Sequence, residues 1–96
     1  MTLAMIQNFI VHNGIYSAKK LADSGDNQGA EKCYKDTLRL AMNIAGDKSV
    51  LAGTVFLELA DFYELEGRDA EAEVLWDCLR EVLICNMHKL ARQQTL

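Results

Sequence analysis

Two stretches of this chain share one pattern at a fixed offset. Ala18, Leu21, Gly25, Ala30, Glu31 and Tyr34 pair with Ala60, Tyr63, Gly67, Ala72, Glu73 and Trp76, and every pair is 42 residues apart. A period of this size, with a glycine recurring between apolar stretches, means one supersecondary unit used twice and stacked on itself. The 96 residues contain no proline, so nothing interrupts long helices. The expected fold is all-α: one domain over 1–96, made of two stacked antiparallel hairpins and four helices.

Local signals set the helix limits. The first helix is expected over residues 2–23 with Thr2 as N-cap. Gly25 can take the positive φ that ends it, and Asp26 or Asn27 can cap the second helix, which runs to about Ile44. Asp47 or Ser49 caps a third helix ending at Glu66, Gly67 makes the next turn, and Asp69 caps a fourth helix reaching about Arg92. Phe56, Leu59, Ala60 and Tyr63 form an apolar stripe on the third helix, widened by Val55, Phe62 and Leu57. A helix apolar on more than one side must have more than one neighbour. Gly14, Ser17 and Ala18 give the first helix a face of small residues, with Leu3, Ile10 and Leu21 along it. On the fourth helix Ala72, Leu75, Trp76, Leu79, Val82 and Leu83 face the core, and Asp77, Arg80 and Glu81 face solvent.

The second unit, with Leu59-Ala60, Tyr63, Gly67-Arg68, Glu71-Ala72-Glu73 and Leu75-Trp76, resembles a tetratricopeptide repeat (TPR). Its length is most similar to the 42-residue repeat of kinesin light chains. The first unit keeps Ala18, Gly25, Ala30 and Tyr34 and has Gly14 and Ser17 where the family carries larger residues. The resemblance implies repeat one at about 11–44, repeat two at about 50–85 and a helical extension over 86–92. It also implies a non-enzymatic adaptor or scaffold that binds a peptide or helix of another protein on the inner face of its hairpins. That face carries Ile15, Tyr16, Lys19, Leu57, Glu58, Asp61, Glu64 and Leu65. Some members grip the acidic C-terminus of chaperones with clustered Lys, Asn and Arg. No such cluster stands here, and the apolar and acidic residues suit a segment with apolar anchors and basic flanks.

Charge points the same way. Residues 1–48 carry a net +1 and residues 49–96 a net −5. That leaves no basic footprint for nucleic acid. No run of apolar residues is long enough to cross a membrane, and residues 3–11 lack the basic leader of a signal peptide. Cys33, Cys78 and Cys85 sit among apolar neighbours in helical patterns and read as reduced, buried residues of a cytoplasmic protein. Cys78, Cys85 and His88 share one helix but lack a fourth ligand, so no metal is expected. His12 and His88 stand without a catalytic motif, and no phosphate-binding loop is present, so neither catalysis nor a cofactor is implied.

Two repeats leave apolar ends uncovered, so a homo-oligomer, in the first instance a dimer, is expected. Leu3, Ile6 and Ile10 at one end and Val82, Ile84 and Met87 at the other are the candidate interfaces, Ile84 because it interrupts a polar face. The alternative functions are a self-assembling structural subunit or a small acidic secretion chaperone.

Overall fold

A computed structural model describes residues 2–94. Its four helices are α1 (Leu3–Asp23), α2 (Asn27–Ala45), α3 (Val50–Leu65) and α4 (Asp69–Gln94), with no strand among the described residues. α1 packs on α2 and α3 on α4, giving two antiparallel hairpins. α3 also packs on α2 and touches α1, while among the described helices α4 packs on α3 alone. The third helix is therefore the centre of the molecule. Its apolar girth explains this position: Ala52, Val55, Phe56, Leu59, Ala60, Phe62 and Tyr63 are all buried. Around it Val11, Ile15 and Ala18 of α1, Ala30, Tyr34 and Ala41 of α2, and Ala72 and Val82 of α4 complete the core.

The 42-residue period is visible atom by atom in the turns. Gly25 has φ 90° and Gly67 φ 77°. At the first, the N–H of Gly25 donates to the Ala22 carbonyl (3.0 Å) and that of Asp26 to Leu21 (2.9 Å). At the second, Gly67 donates to Glu64 (3.0 Å) and Arg68 to Tyr63 (2.8 Å). Both are Schellman closures, which satisfy carbonyls that a helix end would otherwise leave unpaired. The caps at Thr2, Asp26 and Ser49 accept from the N–H groups of Met5, Gly29 and Ala52. Asp69 is not a cap. It is the first residue of α4, because Arg68 both closes α3 and offers its carbonyl to the Ala72 N–H at 3.1 Å.

Further corrections concern helix faces. Ser17 is exposed, and the buried stripe of α1 is Val11, Ile15 and Ala18. Gly14 marks a close approach of α2, where a Cβ would stand 2.4 Å from Thr37 Oγ1. In the second hairpin the comparable approach is at Gly53, against Val82 and Leu79 of α4. Leu83, expected to face the core, is exposed.

Candidate functional site

α1 and α3 lie side by side on one surface of the molecule and leave a groove of about 290 Å³ between their C-terminal halves. Lys19, Ala22 and Asp23 of α1, Glu58, Asp61, Phe62 and Leu65 of α3, and Tyr34 of α2 line it. The positions follow from helical spacing. Lys19 and Asp23 are one turn apart on α1, and Glu58, Asp61 and Leu65 are three and four apart on α3, so each set shares a face. Lys19 Nζ and Glu58 Oε2 form an ion pair across the groove at 3.1 Å. Asp23 and Asp61 add two further carboxylates. The groove wall thus carries three acids and one base.

Tyr34 sits in the floor. The residue is 3% exposed, and its ring packs on Phe62 with centroids 5.4 Å apart. Its hydroxyl makes no hydrogen bond with any described residue and is open to solvent at the groove, since no buried side-chain oxygen among the described residues lacks a partner. Burial, the negative charge of Glu58 and smaller effects that include Asp23 and Asp61 push the Tyr34 phenol up to about 12. The hydroxyl therefore stays protonated through the physiological range and is available to an incoming group.

The structure brings together four of the eight expected inner-face residues: Lys19, Glu58, Asp61 and Leu65. Tyr16 lies outside the groove, exposed, with Lys20 Nζ 5.2 Å from its ring centroid. Glu64 turns toward α4, where it accepts from Trp76 Nε1 at 2.7 Å. Ile15 is a correction: it is buried in the core and offers no binding surface. Leu57 belongs to a different groove, described below. Sequence reasoning missed Tyr34, Asp23, Ala22 and Phe62. Tyr34 was hidden by its match to Trp76, and Asp23 by its place at a helix end.

Of the expected oligomer contacts, Leu3, Ile6 and Ile10 are exposed on α1, and Ile84 and Met87 are exposed on α4. Val82 is a second correction. At 2% exposure it packs into the α3–α4 contact beside Gly53. Among the described residues no group of three His, Cys, Asp or Glu side chains is placed to hold a metal ion. Cys33, Cys78 and Cys85 are partly buried free thiols. No described helix is long and apolar enough to cross a membrane.

No family model, no curated protein and no solved structure matches the chain.

Proposed function

We propose that this chain is a non-enzymatic protein-interaction module, a two-repeat TPR-like adaptor that binds a basic segment of another protein along the α1–α3 groove. The observation that carries the reading is the groove's composition. Asp23, Glu58 and Asp61 line one groove with Tyr34, whose hydroxyl opens on it without a protein partner, and Leu65 and Phe62 add apolar wall. Such a groove suits a Lys or Arg side chain: its aliphatic stem covers the apolar wall while its head meets the carboxylates and the phenol oxygen. The same charge disfavours nucleic acid and anionic lipid surfaces as partners. Three cysteines without a disulfide fit a reducing compartment, for which we take the cytoplasm.

Fluorescence anisotropy with labelled peptides tests this reading. Peptides with an apolar anchor flanked by Arg or Lys should bind, with an affinity that falls as salt rises. Their Glu-substituted counterparts should not. Asp61→Lys should weaken binding by about tenfold or more, through one lost attraction and one new repulsion. Equal binding of basic and acidic peptides, or indifference to Asp61→Lys, would remove the groove from the mechanism.

A further inference from the structure

The open end of the second hairpin carries a groove that the internal repeat explains. Val11, Ile15 and Ala41 of the first hairpin are buried in the core that α3 closes. Their equivalents 42 residues on are Gly53, Leu57 and Leu83. All three line a cavity of about 210 Å³ between α3 and α4, with Val50, Thr54, Leu79, Val82 and Asn86. Leu57 and Leu83 are 39% and 54% exposed where their counterparts are almost fully buried. This is the seat that α3 fills on the first hairpin, left open on the second.

What fills such a seat is a helix with the right apolar spacing. On α3 the residues on that face are Val55, Leu59 and Phe62, at i, i+4 and i+7, and Phe62 meets Tyr34 of α2. α1 of a second copy cannot take the place in the same register. Its equivalents are Asn13, Ser17 and Lys20, which would bury polar groups and a charge against leucines. A head-to-tail stack of chains is therefore disfavoured.

α4 supplies the missing pattern. Asn86 Nδ2 donates to the Lys48 carbonyl at 3.1 Å, so α4 draws level with the start of α3 at that point. The residues beyond it extend past the hairpin, and eight residues of helix add about 12 Å. Leu83, Met87 and Leu90 form a stripe at i, i+4 and i+7 that begins inside the groove and continues along the extension. All three are exposed by more than half. We infer that the groove is filled by α4 of a second copy of this chain, the two copies exchanging their extensions about a two-fold axis. Each copy then gives one stripe and receives one. The contact closes on itself rather than propagating. The surface is separate from the α1–α3 groove, so a dimer would leave two peptide grooves open.

Light scattering during gel filtration, at roughly 10–100 µM, decides the matter. The chain should run at twice its 10.8 kDa mass. Met87→Glu with Leu90→Glu removes the donated stripe, and Leu57→Glu spoils the seat. Each should weaken the dimer by about 100-fold, through a charge buried without a partner. These positions are exposed in the single chain, so circular dichroism should show the helices retained. Ile6→Glu, at the other end, should leave the dimer intact. A wild type at the mass of one chain, a ladder of larger species, or a dimer broken by Ile6→Glu but not by the α4 substitutions would each overturn the inference.

Discussion

Arg68, in the turn between α3 and α4, grips Glu31 of α2 with both terminal nitrogens. Nη1 lies 2.6 Å from Oε1 and Nη2 lies 3.1 Å from Oε2. The Tyr63 hydroxyl donates to the same carboxylate at 2.9 Å, and the guanidinium sits 4.3 Å from the Tyr63 ring centroid. Lys35, Glu66 and Glu71 complete the cluster. This fork joins the first hairpin to the second at the α3–α4 turn. Planar, paired hydrogen bonding of this kind fixes geometry as well as charge.

The cluster makes stability depend on acid. Hydrogen bonding from Arg68, with Lys35 and Tyr63 behind it, lowers the Glu31 carboxyl from 4.5 to about 2. The folded chain then binds fewer protons than the unfolded chain, so the stabilisation is complete above pH 4.5 and is lost as pH falls toward 2. The Glu31 side chain is one-fifth exposed, so solvent screens part of the interaction, and about 1–2 kcal/mol is at stake. Melting followed by circular dichroism should show a flat midpoint from pH 7 to 5.5 and a fall below 4.5. Glu31→Gln should melt lower at pH 7 and lose less on acidification. Parallel acid curves for the two proteins would show that other carboxylates carry the dependence.

The three turn glycines should not behave alike. Gly67 has φ 77° in a Schellman closure, where Asn is the next most tolerated residue. Gly46 combines φ 97° with ψ 159°, a region open to glycine almost alone. A Cβ at either position meets nothing within 4 Å, so any cost is conformational. Gly67→Ala should cost about 1 kcal/mol, and Gly67→Asn should recover part of it. Gly46→Asn should cost more than Gly67→Asn in urea denaturation. Equal costs would mean that the α2–α3 loop rearranges to accept a side chain.

The features that could be read from the sequence are those set by local chemistry. Gly25 and Gly67 end helices because few other residues accept positive φ, and Asp26 and Ser49 cap because their side chains reach an N–H three residues on. The central role of α3 was also legible, since its apolar residues outnumber what one neighbour can cover. Ile15 and Tyr16 show where legibility stops. They are adjacent on one helix and so point about 100° apart, and one face cannot hold both; the packing of the neighbouring helices decides which of them is buried. Tyr34 shows the second limit. It repeats Trp76 in the sequence, yet Trp76 finds Glu64 while the Tyr34 hydroxyl faces carboxylates that accept nothing from it. Asp23 and Asp61 line the same groove from two other helices, and a repeat pattern within one helix does not carry such neighbours.

The Gly14–Thr37 contact gives the sharpest test of packing between α1 and α2. Alanine is the better helix former by about 1 kcal/mol, so propensity alone favours Gly14→Ala. The structure opposes it. A Cβ there would lie 2.4 Å from Thr37 Oγ1 and 2.9 Å from Cγ2. Thr37 cannot easily turn away, because it is 6% exposed and its hydroxyl donates to the Cys33 carbonyl at 2.7 Å. Overpacking should therefore win, for a net loss of about 1–3 kcal/mol. Adding Thr37→Ala removes both of the closest atoms and leaves a Cβ at 3.2 Å, a tight but tolerable contact. The double variant should then be more stable than the sum of the single effects predicts, by about 1 kcal/mol or more. Urea midpoints of the four proteins in the cycle measure this directly. A Gly14→Ala chain more stable than the wild type would show that α2 can draw back freely, and that the approach of the two helices at Gly14 is not a constraint on the first hairpin.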